Sequence, residues 1–311
     1  MIYFIKRISI MIFTLFLVSI ISFSVFQIIP GDPALSKLGI EASQEQIDTL
    51  RIELMLDQPA STQYIFWAKN ILKGDLGESI RFSRPIKELI GERISVTLSL
   101  GIYAILIAVA IGIPLGILNA KYNDTKFGAC LSIFSQAGLA IPEFWLGIIF
   151  LIVFGIIFKF FSLKYVSFGD DPMAHIGILT LPALALAISR ISVVARHMKN
   201  IILEEEEKDY VRTAYSKGLS MNKIYIFHIL QNALIPTITV IGMLTAGILG
   251  GAIIVEQVFN LPGIGTLLIN GVTTRDIPLV QAIITYIASV VVIINFLIDI
   301  LYRIIDPRIS I

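Results

Sequence analysis

The chain has very little of the residues that build disulfides, metal centres or nucleic-acid-binding surfaces. Its single cysteine, Cys130, can form no intrachain disulfide. The three histidines, His175, His197 and His228, form no pair at ligand spacing, so we expect no bound metal and no other directly bound cofactor. The 24 lysines and arginines nearly balance the 23 acidic residues, and a net charge of +1 excludes the basic signature of a nucleic-acid-binding protein.

The sequence motifs of common enzyme classes are also absent. There is no GxxxxGK[ST] loop to hold phosphates, no HExxH metalloprotease helix and no GxSxG nucleophile turn. If the protein uses ATP, a partner must therefore hydrolyse it. We expect no catalytic residue and no enzymatic activity of the chain by itself.

Hydrophobic residues dominate what is present. They make up 56% of the chain, charged residues make up 15%, and the mean hydropathy is +0.85. Soluble domains contain about 45–50% apolar and about 25% charged residues. Most of the six apolar stretches are long enough to cross a hydrocarbon core of about 30 Å, where only helices and closed barrels satisfy the backbone. The sequence predicts an all-α, polytopic membrane protein with six transmembrane helices in one membrane domain, residues 1–311. The stretches are 10–29, 96–118, 127–158, 176–194, 233–255 and 279–302.

The basic residues predict the orientation. With six crossings, four basic clusters fall on one side of the membrane, and lysine and arginine mark the cytoplasmic side. We therefore expect both termini in the cytoplasm. The clusters are Lys6 and Arg7; Lys121 and Lys126; Arg190, Arg196, Lys199, Lys208, Arg212, Lys217 and Lys223; and Arg303 and Arg308.

Two longer segments then face outside. Residues 30–95 form an insertion after the first helix, with helix-like stretches around 44–56 and 63–72. This insertion has too few apolar residues for a core of its own, so we expect it to pack on the outer face of the membrane domain. Residues 256–278 are rich in glycine and proline, and they are compatible with either an ordinary loop or a re-entrant hairpin.

A charged, turn-broken block, residues 195–232, lies between the fourth and fifth apolar stretches. Asp209 can cap a short helix that ends at Lys217, with Gly218 as its left-handed stop. Ser220 can cap a second helix that runs toward Asn232. The block predicts a helix–glycine–helix elbow at the membrane surface.

The first helix of this elbow carries apolar residues that a solvated helix would not need. Tyr210 and Ala214, and Val211 and Tyr215, are pairs at four-residue spacing. An exposed patch of this kind serves a protein interface, and the alternative is docking against the protein's own helices. The residues that we expect to form the interface are Asp209, Tyr210, Val211, Arg212, Ala214, Lys217 and Gly218.

Polar residues inside apolar spans mark candidate positions along a transport path. The alternative for each is a hydrogen bond between packed helices. No relay of Asp, Glu and His crosses the membrane, which disfavours coupling to protons or sodium ions. The candidates are Gln136, Glu143, Thr237, Thr239, Gln281, Thr285 and Asn295.

Six motifs, in order, resemble those of the dipeptide, oligopeptide and nickel permeases of ABC importers. Residues 209–220 (DYVRTAYSKGLS) are similar to the cytoplasmic loop of that family, in which a glycine matching Gly218 ends the coupling helix. Tyr215 stands where arginine is common, and Ser95 stands where proline is frequent. The other motifs are residues 31–33 (GDP), 74–79 (GDLGES), 141–144 (IPEF), 256–259 (EQVF) with 262–265 (PGIG), and 306–308 (DPR).

The resemblance implies a type I ABC importer permease in a bacterial cytoplasmic membrane. Such a subunit pairs with a second, homologous permease and forms half of a translocation path that works by alternating access. It would bind cytoplasmic ATPase subunits, which use ATP and Mg, through the residues of the elbow. A solute-binding protein outside the membrane would deliver a peptide, nickel or a metal–chelate (metallophore) complex.

Two other functions stay open at this point. An ion-coupled secondary carrier would work without an ATPase and would stop when an uncoupler is added. A membrane scaffold would accumulate no substrate. The cargo is also open between peptide and metal, because the binding protein sets most of the selectivity in this family.

Overall fold

The structure is a computed structural model that describes residues 2–28, 33–38, 42–53, 55–159 and 164–305. Nearly all of these residues lie in helices, and the β contact among them is one isolated bridge between Glu78 and Pro85. The all-α prediction is therefore confirmed. The α-helices are α1 (Ile2–Ile28), α2 (Pro33–Leu38), α3 (Gln44–Glu53), α4 (Ala60–Leu72), α5 (Ile86–Lys121), α6 (Lys126–Ala140), α7 (Glu143–Phe150), α8 (Pro172–Glu206), α9 (Asp209–Ser216), α10 (Met221–Ile224), α11 (Leu230–Val258), α12 (Ile264–Thr273) and α13 (Ile277–Ile305). Two segments are π-helical: Leu151–Ile157 extends α7, and Tyr225–Ile229 joins α10 to α11.

Five helical runs in the described part of the chain are long and apolar enough to cross a membrane. A sixth crossing exists if α6 and α7 with its π-helical extension are counted as one broken span. The five to six spans agree with the polytopic prediction. The five unbroken runs are Phe4–Gln27, Ile86–Lys121, Pro172–Glu206, Asn222–Val258 and Ile277–Leu301.

The predicted third span is not one straight helix. It bends by 98° between α6 and α7, at Ile141 and Pro142. Proline has no N–H to donate, and it disfavours helical angles in the residue before it. Ile141 accordingly is extended, with φ −89° and ψ 124°. A proline that the sequence placed inside a span thus divides it into two arms.

The chain divides into two compact units. The first comprises Met1–Val96 and Pro262–Phe296. Its core is formed where the first turns of α5 meet α12 and α13, with Leu89, Leu267 and Ile283 among the buried side chains. The apolar helix α12 is therefore an integral part of this core.

Asp276 connects the insertion to the segment 256–278 within the first unit. This carboxylate is 1% exposed and accepts the Ser79 hydroxyl at 2.5 Å and the Arg81 N–H at 3.0 Å. It also accepts the Leu279 N–H at 3.2 Å, which caps the start of α13. The two polar segments are thus joined through one buried acid.

The second unit comprises Thr97–Leu261 and Leu297–Ile311, and α8 lies at its centre against α6, α7 and α11. Helix α5 packs closely against α8 at Gly112 and Gly116. A Cβ added at Gly112 would lie 2.9 Å from the Cβ of Val194, and one at Gly116 would lie 2.6 Å from the Cβ of Met198. Only glycine permits this approach, which is typical of helices packed in lipid.

Most residues of the two polar segments predicted outside the membrane are among those that the structure describes. The helix-like stretches of the insertion are confirmed as α3 and α4, and the segment 256–278 contains the ten-residue helix α12. Gly31 and Asp32 of the first motif, and Asp306, Pro307 and Arg308 of the last, lie outside the described residues.

Candidate functional site

The turn-broken block folds into α9, a glycine turn and α10. Gly218 has a φ of +78°, and its N–H donates to the carbonyl of Tyr215 at 2.9 Å. A left-handed residue at this position commonly ends a helix, and glycine adopts that conformation without steric cost. The predicted glycine stop is therefore confirmed.

Asp209 does not cap α9, so that part of the prediction was wrong. Lys208 occupies the capping position without a side-chain hydrogen bond, and Asp209 is the first helical residue. The Asp209 side chain is 99% exposed and lies 3.9 Å from that of Arg212. A carboxylate in the first turn still interacts favourably with the helix dipole. Asp209 therefore stabilises the start of α9 from the solvent side.

The inner face of α9 is buried, which contradicts the expected exposed patch. Val211 and Ala214 are each 7% exposed and pack in a cluster that includes Met198, Ile224 and Ala233. Because these two residues are three apart, they lie on one helix face that docks against α8, α10 and α11. The alternative reading, docking on the protein's own helices, is correct for Val211 and Ala214.

A polar network fixes α9 at the point where α8 ends. The Glu205 carboxylate is 7% exposed; it accepts the Tyr210 hydroxyl and, at 2.5 Å, the Lys208 ammonium group. Asn232 on α11 donates its Nδ2 to the Tyr210 hydroxyl at 3.1 Å. Burial, followed by the hydrogen bond to Glu205, raises the pKa of Tyr210, and the hydrogen bond to Glu205 raises the pKa of Lys208. We call Glu205, Tyr210 and Asn232 the brace, because they join α8, α9 and α11.

The outer face of α9 is exposed and is not covered by other described residues of the chain. It carries an exposed aromatic residue, Tyr215, which is 65% exposed, next to side chains of both charges. An exposed aromatic ring rimmed by charges is typical of the centre of a protein interface. The exposed residues of this face are Asp209, Arg212, Thr213, Tyr215, Ser216 and Lys217.

The second half of the elbow continues directly into a membrane span. Lys223 and Ile224 donate their N–H groups to the carbonyl of Ser220 as α10 begins. The helix then passes through the π-helical segment into α11, so that Asn222–Val258 is one helical run. The predicted second helix is therefore longer than expected, and it joins the elbow to the span without a loop.

An ion pair between a buried arginine and a partly buried glutamate lies beside the bend between α6 and α7. Arg190 on α8 is 6% exposed and contacts the Oε1 of Glu143 through its Nη1 at 2.6 Å. The same oxygen accepts the Ser189 hydroxyl at 2.8 Å, and Arg190 Nη1 also donates to the Leu186 carbonyl at 2.6 Å. Gly251 of α11 lies against the other carboxylate oxygen, since a Cβ added there would be 2.2 Å from Oε2.

Sequence reasoning grouped Arg190 with the cytoplasmic basic residues and missed its pairing. The signal was present, because Arg190 also lies within the apolar stretch 176–194, and a charged residue inside a span requires a partner. Glu143 is engaged by that partner. Glu205 belongs to a run of four glutamates, residues 204–207, a pattern typical of a solvated helix face, although the structure buries Glu205 in the brace.

The remaining path candidates divide into three groups. Thr237 and Thr285 are buried, and their hydroxyls contact the Met198 sulfur at 3.2 Å and the Ser22 hydroxyl at 2.9 Å, as expected for helix packing. Thr239 and Gln281 are half-buried, and the Gln281 Nε2 has no hydrogen-bond partner among the described residues. Gln136 and Asn295 are exposed. A role in the path stays a prediction for these last four residues.

Comparison with protein families gives two matches that together span most of the chain. Residues 112–311 match the family model described as "Binding-protein-dependent transport system inner membrane component". Residues 1–101 match the model described as "Binding-prot-dependent transport system membrane comp, N-term".

Curated relatives resemble the chain over nearly its whole length. A putative peptide transport system permease protein of Brucella abortus (strain 2308) is 38% identical over 98% of this chain and 97% of its own. The oligopeptide transport system permease protein AppB of Bacillus subtilis (strain 168) is 35% identical over 99% of both chains. A probable peptide ABC transporter permease protein of Sinorhizobium fredii (strain NBRC 101917 / NGR234) is 33% identical over 99% of both chains.

Among solved structures, the chain resembles one from inward-facing conformations of the MetNI methionine ABC transporter. The TM-score is 0.58 at 15% identity, over 72% of this chain and 99% of the other. At this identity the likeness concerns the fold alone.

Proposed function

We propose that this chain transports a peptide cargo. The chain belongs to the family of binding-protein-dependent transport system inner membrane components. It is a multi-pass permease subunit of an ABC importer. The observation that carries this proposal is the agreement of the three relatives, which are named as peptide or oligopeptide permeases and align over 98–99% of this chain. The permease itself is not an enzyme. Nickel or a metal–chelate complex is the second cargo class.

The outer face of α9 is the proposed contact with the ATPase subunits. Tyr215 supplies an aromatic anchor, while Arg212 and Lys217 supply charges at its rim. The buried inner face, with Val211 and Ala214, would hold α9 to the permease while the outer face binds the partner. The role of the two faces is therefore divided: one docks the helix and the other recognises the ATPase.

The brace gives α9 a direct connection to two membrane spans. Tyr210 contacts Glu205 at the end of α8 and Asn232 at the start of α11. When the ATPases bind and hydrolyse ATP with Mg, a displacement of α9 would be transferred to both helices at once. Alternating access of the path would follow from that displacement.

The complete importer would contain a homologous second permease, two ATPase subunits and an external solute-binding protein. In this arrangement the elbow and both termini of the chain face the cytoplasm of a bacterium. The four candidates Gln136, Thr239, Gln281 and Asn295 would be tested as path residues by substitution with alanine.

Uptake in a strain lacking this permease, compared with the complemented strain, tests the proposal. Labelled short peptides are supplied in one arm, and labelled nickel with or without a chelator in the other. Uptake of peptide that depends on the gene supports the proposal, and dependence of chelated nickel alone would replace peptide with a metal complex.

The energy source separates the importer from the other functions. Uptake should stop when the partner ATPase is deleted. Uptake that persists without the ATPase but stops with an uncoupler would indicate an ion-coupled carrier, and the absence of any accumulation would indicate a scaffold.

A further inference from the structure

Helix α4, in the insertion after α1, lies along the side of α1 rather than beyond its end. The Gln27 Nε2 donates to the Gln63 Oε1 at 2.7 Å, and the Ser19 and Tyr64 hydroxyls are 2.8 Å apart. Between them, Phe23 packs against the rings of Tyr64 and Trp67, with centroids at 5.5 and 5.7 Å. The contacts of α4 therefore follow α1 inward from Gln27 to Ser19.

These contacts lie within the hydrocarbon-spanning part of α1. The span Phe4–Gln27 has 24 residues, which corresponds to about 36 Å of helix, about 6 Å more than a typical hydrocarbon core. Ser19 precedes Gln27 by eight residues, or about 12 Å. Even if all the excess length is at this end, Ser19 lies about 6 Å inside the hydrocarbon boundary. A tyrosine that reaches Ser19 brings α4 to the depth at which helices lie in a membrane interface.

The outward surface of α4 has the chemistry of such a helix. Ile65 and Leu72 are 52% and 87% exposed, and they lie seven residues apart on one flank of the helix, with Ala68 between them. Two exposed lysines, Lys69 and Lys73, are four residues apart on the adjoining stripe. An apolar flank beside a basic stripe fits the acyl chains and the phosphates of a lipid leaflet.

The neighbouring surface of α1 is apolar as well. Only 6% of its spanning window is buried, and Ile21 and Val25, close to the contacts with α4, are 61% and 48% exposed. The exposed flank of α4 therefore extends an apolar surface that α1 leaves uncovered. Trp67 and Tyr64 occupy the position that amphipathic aromatic residues favour at a membrane interface.

We propose that α4 is an interfacial helix that binds the lipid leaflet on the side where α1 ends. Ile65 and Leu72 insert between acyl chains, and Lys69 and Lys73 contact lipid phosphates. The insertion is thus anchored in the membrane and does not project freely from it. This proposal is independent of the cargo.

Site-directed spin labelling of the full chain in proteoliposomes of phosphatidylethanolamine and phosphatidylglycerol tests the proposal. Cys130→Ser removes the single cysteine of the sequence, and Ile65→Cys, Leu72→Cys and Ala60→Cys then carry one nitroxide each. Ala60 is the matched control, because it is also exposed on α4 but lies about 140° around the helix from Ile65, away from both the apolar flank and the basic stripe.

The measurement is the ratio of collisions with oxygen, which partitions into lipid, to collisions with a water-soluble nickel chelate. We expect this ratio to be several-fold higher at residues 65 and 72 than at residue 60. Equal ratios at the three positions would overturn the proposal. A second result would also overturn the proposal: the labels at residues 65 and 72 contact water in the permease alone, and they lose mobility when the solute-binding protein is added.

A second measurement needs no cysteine on α4. The chain has two tryptophans, and Trp145→Phe leaves Trp67 as the only one. Lipids brominated in the upper part of their acyl chains should quench Trp67 fluorescence, while aqueous iodide should not. Quenching by iodide alone would place α4 in water and refute the proposal.

Discussion

Gly251→Ala should destabilise the permease, although alanine is normally the better helix residue. The added Cβ would lie 2.2 Å from the Glu143 Oε2, 3.2 Å from the Leu186 Cδ2 and 3.3 Å from the Arg190 Nη2. The carboxylate cannot simply rotate away, because its other oxygen accepts Arg190 at 2.6 Å and Ser189 at 2.8 Å. Either this ion pair is distorted or α11 moves away from α7 and α8.

The size of the effect follows from the partial burial of the pair, since the Arg190 side chain is 7% exposed and the Glu143 side chain is 25% exposed. Deleting one partner of a buried ion pair costs about 3–5 kcal/mol, and a displaced partner should cost less, about 2 kcal/mol after the gain from alanine in a helix. One kcal/mol corresponds to about 2–4 °C in the melting temperature of a domain of 150–250 residues. We therefore expect the melting temperature to fall by about 4–8 °C.

Gly250→Ala is the matched control for this experiment. Gly250 is the preceding residue of the same helix, and a Cβ added there meets no atom within 4 Å. The two purified variants are compared in the same detergent by thermal unfolding at one heating rate. If Gly251→Ala melts within about 1 °C of Gly250→Ala, which is below the shift from 1 kcal/mol, the packing argument is refuted.

Four further predictions concern the elbow. Val211→Asp should lower the yield of folded permease severely, since it places an unpaired charge in a site that is 7% exposed; wild-type yield and melting temperature would contradict the buried inner face. Tyr215→Asp, by contrast, should keep the yield and abolish co-purification of the ATPase, and full retention of the ATPase would exclude Tyr215 from the interface. Gly218→Trp should insert normally but lose transport, because a bulky residue at φ +78° costs about 1–2 kcal/mol or forces the turn to change; wild-type uptake would disprove this. Tyr210→Phe should retain ATPase binding and lower transport per ATP hydrolysed, since it removes the hydroxyl of the brace, and unchanged coupling measured in proteoliposomes would show that the brace is dispensable.

Local features of the fold could be predicted from the sequence because they depend on nearby residues. The glycine stop at Gly218 needs only a backbone that adopts positive φ, and the spans need only length and hydropathy. The bend at Pro142 was within reach of the same reasoning, because proline restricts the residue before it. The angle of 98° depends on contacts with other helices, and a hydropathy pattern carries no information about those contacts.

The site could be predicted less well, because burial of a helix face depends on what packs against it. The four-residue pairs of α9 showed that the helix has an apolar face, but not whether that face meets a partner or the permease itself. Val211 is covered by the permease, whereas Tyr215 is not. Similarly, the sequence separates Glu143 from Arg190 by 47 positions, so that only the packing of α7 on α8 reveals their contact.

The close contact of α5 with α8 limits how this permease can change shape. At Gly112 and Gly116 the two backbones are separated by less than a methyl group would require, so there is no room for one helix to slide past the other. Separating them would open a crevice too narrow for an acyl chain to fill, and the dispersion contacts along the seam would be lost without replacement. We therefore expect α5 and α8 to move together near Gly112 and Gly116, and we expect rearrangements during a transport cycle to take place at other helix contacts.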